Sequence, residues 1–229
     1  MEQDMATEAL DAARLARFID HTILRPEATE ADVARYCREA VEHGFYSVCV
    51  NPLYAAFVAG ELAGSGVATC SVVGFPFGAT PDAVKAFETE RAVGDGAREI
   101  DMVIAIGALR GGRHALVEAD IATVKRACGP ALLKVIIEAC LLTDAEKVTS
   151  CRLAEQAGAD FVKTSTGFST GGATVEDVAL MRRSVSPQIG VKASGGVRSL
   201  ATARAMIAAG ATRIGTSSGT VIMRELAEL

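Results

Sequence analysis

Short apolar runs rich in β-branched residues alternate along the chain with alanine-rich stretches of helical period. Several of the alanine-rich stretches begin with Thr or Ser and end with Gly, as residues 29–44 and 143–158 do, and these are helix-capping signals. This alternation predicts βα units and a parallel sheet, which places the chain in the α/β class. The candidate strands read "FIDHTI", "YSVCVN", "TCSVVGF", "REIDMVIA", "LLKVIIEA", "DFVKTST", "IGVKAS" and "RIGTSS".

The same units could build an open, doubly wound sheet. Eight strands in a chain of 229 residues favour closure into a (β/α)₈ TIM barrel, with an additional N-terminal helix predicted around residues 7–17. No linker, charge block or low-complexity segment interrupts the series. We therefore expect residues 1–229 to form a single domain.

Polar side chains lie in or directly after several of these otherwise apolar strands. Four of them, Asp101, Lys134, Lys163 and Lys192, come from the fourth to the seventh strand in order. Because alternate residues of a barrel strand point inward and active sites form at the C-terminal strand ends, we expect these four to meet. The other polar positions are Asp20, His21, Thr22, Cys49, Asn51, Glu138, Ser217 and Ser218.

A cluster of lysines with a carboxylate predicts amine chemistry. A like charge close to a lysine and partial desolvation both lower its pKa, so one lysine can attack a carbonyl and form a Schiff base. Asp101 would then move the protons that the reaction needs. Lys134 taken alone is more typical of a salt-bridge partner, and we expect Glu138 to compensate the lysine charges.

Small-residue loops follow the last three strands: "TSTG", "ASGG" and "GTSSG". Their backbone N–H groups could approach a ligand closely, and the last loop leads into a helix whose N-terminus favours an anion. Glycine also ends helices and forms tight turns, so none of these loops is specific by itself. Beside the lysines, the three loops together indicate a small phosphorylated carbonyl compound.

Charge and composition exclude several other functions. A net charge of −5 and a pI near 5.3 give no basic surface for nucleic acid, and an acidic N-terminus without an apolar span predicts a soluble, cytoplasmic protein with no membrane partner. Six cysteines without a CxxC pair and three scattered histidines predict reduced, mostly buried thiols and no metal site. Cys49 is expected to face the barrel interior, where it is a possible reactive thiol, and His21 is interpreted as a structural histidine.

Nearly the whole chain resembles the deoxyribose-phosphate aldolase family. The resemblance is carried by "IDHTIL", "SVCVNP", "VVGFPFG", "EIDMVIAIG", "LLKVIIEACLLT", "FVKTSTGFSTGGAT", "VKASGGVRS" and "IGTSSG". It implies a Schiff-base aldolase on a TIM barrel that needs neither a metal nor another cofactor. Such an enzyme reversibly cleaves 2-deoxy-D-ribose 5-phosphate to glyceraldehyde 3-phosphate and acetaldehyde in deoxyribonucleoside catabolism. Homodimers and homotetramers are common among such barrels.

The resemblance also implies roles for individual residues. Lys163 matches the Schiff-base lysine, Lys192 the lysine that depresses its pKa, Asp101 the proton-transfer carboxylate, and Lys134 a further lysine of the same network. Thr22 and Thr166 would meet sugar hydroxyls. The phosphate would lie on backbone and side-chain groups of Gly167, Gly195, Gly196, Ser217 and Ser218.

The chain departs from the family pattern at two places, and the residues leave two other functions open. The chain ends in "VIMRELAEL" without the tyrosine that some family members carry, and Phe168 stands where some have a lysine. A sugar-phosphate isomerase or epimerase would share the phosphate loops without a covalent adduct, and a non-catalytic sugar-phosphate-binding barrel would lack the nucleophile.

Overall fold

The computed structural model describes residues 11–229. Within them, eight parallel strands pair in chain order, and the first pairs with the last to close a barrel. The predicted (β/α)₈ TIM barrel is therefore confirmed, and the open sheet is not formed. The strands are β1 Ile19–Ile23, β2 Ser47–Val50, β3 Ala68–Val73, β4 Glu99–Val103, β5 Leu132–Ile136, β6 Phe161–Lys163, β7 Gly190–Ser194 and β8 Arg213–Thr216.

Helices surround the barrel and connect its strands. Those of the described residues are α1 Ala12–Ala16, α2 Glu30–His43, α3 Ala55–Glu61, α4 Asp82–Gly94, α5 Ile106–Arg110, α6 His114–Cys128, α7 Asp144–Gln156, α8 Val175–Ser184, α9 Leu200–Ala208 and α10 Gly219–Ala227. None of these helices has both the length and the apolar character needed to cross a bilayer. The predicted N-terminal helix is represented by α1, and residues 7–10 of that prediction lie outside the described residues.

Local sequence signals account for the helix boundaries. The Thr29 hydroxyl accepts a hydrogen bond from the Asp32 N–H, and the Asp32 carboxylate accepts one from the Thr29 N–H. Thr143 and Glu146 form the same capping box at α7. Helix α2 ends at Gly44, whose left-handed φ of 68° suits a residue without a Cβ. The capping signals of the sequence are thus used as predicted.

The strands are buried on both faces, as parallel barrel strands must be. All five residues of β4 are buried, although Glu99 and Asp101 are acidic. The outer faces of the strands pack on the helices in one large apolar core. The Asp, Glu, Lys and Arg residues of the strands lie inside the barrel, where each needs a partner, whereas His21 of β1 contacts Glu39 of α2.

Candidate active site

Three lysines converge on one carboxylate inside the barrel. Lys163 Nζ and Lys192 Nζ each lie 2.8 Å from Asp101 Oδ2, and Lys134 Nζ lies 2.8 Å from Asp101 Oδ1. All four side chains are almost fully buried. Closure of the barrel in chain order places β4, β5, β6 and β7 side by side, which is why residues so far apart in sequence meet.

Three further charged residues complete this cluster and were not predicted as site residues. Lys192 Nζ lies 2.5 Å from Asp20 Oδ2, and Lys134 Nζ lies 2.7 Å from Glu99 Oε2. Arg213 joins both acids, with Nη1 at 2.7 Å from Asp20 Oδ1 and 3.1 Å from Glu99 Oε2. A sequence signal existed, because each of the three is an ionisable residue within a predicted strand.

Electrostatic attraction dominates over burial in this cluster. Burial alone would raise the pKa of Asp101, but the neighbouring Lys134, Lys163 and Lys192 hold it well below its usual value. Burial would lower the pKa of Lys192, but Asp101 and Asp20 raise it above its usual value. The pKa of Lys134 is raised in the same way, by Asp101 against burial. Lys192 and Lys134 are therefore ammonium ions at neutral pH.

A cavity of about 350 Å³ opens above the cluster at the C-terminal ends of the strands. Its wall contains Lys163, whereas Lys134, Lys192 and Asp101 are not part of the lining. Most of the predicted binding residues also line it, namely Thr22, Thr166, Gly167, Gly195, Gly196 and Ser217. The predicted nucleophile is thus the lysine that faces the cavity.

Ser218 is placed differently from the other predicted binding residues. It precedes α10 and does not line the cavity, and its N–H donates to Thr216 Oγ1 at 2.9 Å. The Ser218 N–H is therefore already used within the loop. Thr216 lies on the cavity wall in its place.

Arginines add positive charge that the sequence analysis did not assign to the site. Arg25, Arg35 and Arg198 line the cavity. Arg25 pairs with Asp32 and Arg35 with Glu39, both at 2.8 Å, and Arg198 forms no ion pair with any of residues 11–229. Arg198 follows the "ASGG" loop, so an unpaired cation stands beside the glycine backbone.

Gly167 in the loop after β6 and Gly195 in the loop after β7 adopt backbone conformations that other residues rarely take. Gly167 has a φ of 85° and Gly195 a φ of 83°. A Cβ at Gly195 would also lie 2.9 Å from Gly172 Cα, in the neighbouring loop. The two loops can approach each other only because glycine stands there.

The expectation for Glu138 is wrong, because its carboxylate does not compensate the lysines. It accepts hydrogen bonds from the Thr166 hydroxyl at 2.5 Å and from the Thr166 N–H at 3.2 Å. Glu138 has a φ of 53°, the positive-φ exception among the described non-glycine residues. Such backbone strain is typical of positions that serve a site, and here it points the carboxylate at the loop after β6. Asp20 and Glu99 take the compensating role.

The two other residues singled out from sequence are buried. His21 Nε2 lies 2.7 Å from Glu39 Oε2, and its ring stacks on Tyr36, so it is a structural histidine. Cys49 has no exposed surface and does not line the cavity. Its reactivity stays a prediction, and the other thiols are buried too except Cys140.

Cys49, Cys70 and Asp101 are close enough together to suggest a metal site by distance alone. The chemistry of their surroundings opposes a bound cation. Lys134 Nζ lies 3.3 Å from Cys70 Sγ, and the two oxygens of Asp101 already accept from the ammonium groups of Lys134 and Lys192. A metal ion there would meet these positive charges at short range.

This arrangement suits covalent chemistry on a carbonyl compound. One amine faces a cavity large enough for a small ligand, and a carboxylate within hydrogen-bond distance of that amine can carry protons. The cavity wall on the side of β7 and β8 combines glycine backbone, hydroxyls and Arg198, which are groups that bind anions.

Comparison with known proteins agrees with these features. Residues 14–225 match the model of the DeoC/LacD family of aldolases. The chain is 60% identical over 211 residues to a deoxyribose-phosphate aldolase of Streptococcus gordonii, covering 92% of this chain and 96% of that protein. It is 62% identical over 216 residues to one of Rhodospirillum rubrum, covering 94% and 91%. The tetrameric deoxyribose phosphate aldolase of Aeropyrum pernix superimposes with a TM-score of 0.89 at 37% identity, covering 95% of this chain and 92% of that chain.

Proposed function

The chain belongs to the DeoC/LacD family of aldolases, and on that premise we propose that it cleaves 2-deoxy-D-ribose 5-phosphate reversibly through a Schiff base on Lys163. The observation that carries the proposal is that Lys163 lines the cavity while its Nζ shares Asp101 Oδ2 with Lys192. The relatives named as deoxyribose-phosphate aldolases support the choice of substrate.

The charge count of the cluster distinguishes Lys163 from its neighbours. Three cations, Lys134, Lys192 and Arg213, are matched by the carboxylates of Asp20, Glu99 and Asp101. Lys163 also contacts Asp101, but the three carboxylates are already balanced without it. Its amine can therefore enter a covalent bond without leaving a buried carboxylate unpaired.

The reaction then follows from the position of this amine. Lys163 Nζ attacks the aldehyde carbon C1 of the open-chain sugar, and loss of water gives an iminium ion. The C3 hydroxyl gives up its proton, the C2–C3 bond breaks, and its electron pair moves into the iminium as an enamine. Glyceraldehyde 3-phosphate leaves, C2 takes a proton, and water releases acetaldehyde from Lys163. Asp101, acting directly or through a water molecule, exchanges these protons.

Phosphate binding is proposed on the part of the cavity wall formed by the loops after β6, β7 and β8. The backbone of Gly167, Gly195 and Gly196, the Ser217 hydroxyl and the Arg198 guanidinium all line the cavity there. The unpaired Arg198 can neutralise phosphate charge without giving up another partner. Thr22 and Thr166 remain the proposed contacts for sugar hydroxyls.

The same proposal covers the oligomeric state of the protein, its domain organisation and its cellular location. The tetrameric relative from Aeropyrum pernix supports a homo-oligomer, a dimer or a tetramer. We propose that the chain acts as one barrel domain. A cytoplasmic location stays a prediction of the sequence.

Trapping of the covalent intermediate tests the proposal. The protein is incubated with acetaldehyde and borohydride, and peptide mass spectrometry locates any ethyl group. We expect it on Lys163, and we expect none in Lys163→Arg, which keeps a charge but is a poor nucleophile. The matched assay measures acetaldehyde released from deoxyribose 5-phosphate with a chelator present. Release of acetaldehyde without an adduct would overturn the Schiff base on Lys163. Folded protein with neither an adduct nor acetaldehyde release would return the isomerase and binding-barrel interpretations.

A further inference from the structure

Ser194 brings a hydroxyl to the cavity next to the lysine cluster. It is the last residue of β7, two positions after Lys192, and it is only 5% exposed while lining the cavity. Residues two apart in a strand share a face, so Ser194 lies on the Lys192 face, one step nearer the opening. A Cβ at Gly215, its partner in β8, would lie 2.2 Å from Ser194 Oγ, so glycine there leaves room for the hydroxyl.

Three threonines of the cavity wall have already used their hydroxyl protons. Thr22 Oγ1 donates to the Asp20 carbonyl at 2.9 Å, Thr166 Oγ1 to Glu138 at 2.5 Å, and Thr216 Oγ1 to the Val197 carbonyl at 2.6 Å. A hydroxyl carries one proton and two lone pairs. These threonines can therefore only accept hydrogen bonds from a ligand.

Ser194 differs from them, because its Oγ is buried and has no hydrogen-bond partner among residues 11–229. A buried hydroxyl without a partner costs free energy, so one carried by a residue of the cavity wall is suited to a partner on the ligand. Its proton is free to be donated. Ser217 also lines the cavity, but it is exposed and can be satisfied by solvent.

The proposed reaction contains an oxygen that needs such a donor. The sugar hydroxyls can donate to the threonines, but the C3 oxygen loses its proton during cleavage and becomes an aldehyde oxygen, which can only accept. Lys163 is bonded to C1 at that stage and cannot serve C3 as an ammonium donor. We propose that Ser194 Oγ donates a hydrogen bond to the C3 oxygen as the C2–C3 bond breaks, which makes Ser194 a further catalytic residue. This inference rests on the proposed function.

The role requires no transfer of the serine proton. The C3 proton passes to Asp101, directly or through water, and the hydrogen bond from Ser194 strengthens as negative charge grows on the C3 oxygen. In the reverse direction, the same bond polarises the aldehyde of glyceraldehyde phosphate for attack by the enamine. Formation of the enamine from acetaldehyde alone does not involve the C3 oxygen and should not need Ser194.

Because cleavage involves the C3 oxygen and enamine formation does not, the role of Ser194 can be tested separately from the proposed function. We would measure deoxyribose 5-phosphate cleavage and, separately, exchange of the acetaldehyde methyl hydrogens for deuterium in D₂O. The variants are Ser194→Ala, the more conservative Ser194→Cys, and Ser165→Ala as the matched control. Ser165 Oγ is also buried without a partner, but Ser165 does not line the cavity.

We expect Ser194→Ala to lower kcat for cleavage about a hundred- to thousandfold with little change in KM, as loss of one donor to a developing oxyanion does. Deuterium exchange should stay at the wild-type rate, and Ser194→Cys should cleave at an intermediate rate. Ser165→Ala should cleave and exchange as wild type does, with an unfolding temperature that is equal or higher because an unpaired buried hydroxyl is removed. Wild-type cleavage by Ser194→Ala would overturn the inference, as would a parallel loss of exchange. A wild-type protein that neither cleaves nor exchanges would instead overturn the proposed function.

Discussion

Lys163 faces Lys192 directly across the pair of β6 and β7, and the Nζ atoms of both contact the same oxygen of Asp101 at 2.8 Å. The register of two neighbouring strands thus places a potential nucleophile beside a cation that Asp20 also holds, at 2.5 Å. A positive charge fixed at that distance opposes a second one on Lys163.

Replacement of Lys192 by methionine should slow cleavage at neutral pH at least about a hundredfold. Without the Lys192 charge, Lys134 and Arg213 leave one of the three carboxylates uncompensated, and this negative charge favours a protonated Lys163. The acidic limb of the kcat/KM profile should therefore move to higher pH, and activity should partly recover under alkaline conditions. Borohydride trapping of acetaldehyde over the same pH range checks the cause. An unmoved limb would show that Lys192 does not act on the charge of Lys163.

Replacement of Asp20 by asparagine should lower the free energy of unfolding by about 3–5 kcal/mol at pH 7. The reason is that Lys192 and Arg213 would lose a buried carboxylate at 2.5 Å and 2.7 Å. Burial would raise the pKa of Asp20, but Lys192, Lys134 and Arg213 lower it below its usual value. Urea unfolding curves of both proteins measure the loss.

The same variant predicts a change in acid stability. Because the folded pKa of Asp20 lies below the unfolded value of about 3.9, its contribution is complete above that pH and is lost as the pH falls through and below it. Asp20→Asn should therefore lose less stability than wild type when urea curves are compared from pH 5 downward. Equal slopes of stability against pH would contradict the assignment of the charge to Asp20.

Replacement of Glu138 by glutamine should weaken sugar binding and leave the amine chemistry intact. In wild type, the Thr166 hydroxyl donates its proton to Glu138 and can only accept a hydrogen bond from the sugar. The amide of glutamine can donate to Thr166 as well as accept from it, so the hydroxyl would no longer be held as an acceptor for the sugar. We expect KM for deoxyribose 5-phosphate to rise about five- to tenfold, consistent with one perturbed hydrogen bond. Combining Glu138→Gln with Thr166→Val should add little to either single change, since both remove one shared interaction. Additive losses would show that the two residues act separately.

Replacement of Lys85 by methionine tests a second buried ion pair, on the outer side of the barrel. Lys85 Nζ lies 2.6 Å from Asp120 Oδ2 and 2.9 Å from the Val103 carbonyl, so it joins α4 to α6 and to the end of β4. Loss of one partner should cost about 3–5 kcal/mol, and the double variant with Asp120→Leu should regain much of it. Urea unfolding measures this, and deuterium exchange of acetaldehyde should be unchanged. A double variant no more stable than the single one would contradict the pairing.

The architecture and the central residues of the candidate site could be predicted from the sequence. Runs of β-branched residues separated by capped helical segments are local signals, and eight of them in a chain of this length favour a closed barrel. Once closure is assumed, Asp101, Lys134, Lys163 and Lys192 fall on adjacent strands, so their meeting follows from strand order.

Only the tertiary structure decided which side chains pair and which of them face the cavity. Asp20 and Arg213 stand 193 positions apart and pair because β1 and β8 close the barrel. Ser194 and Ser165 each stand two positions after a lysine of the cluster, yet only Ser194 lines the cavity, and Glu138 turns towards Thr166 rather than the lysines. The physical reason is that patterns along a chain report burial, whereas a hydrogen bond depends on distances and angles that barrel closure and loop conformation set together.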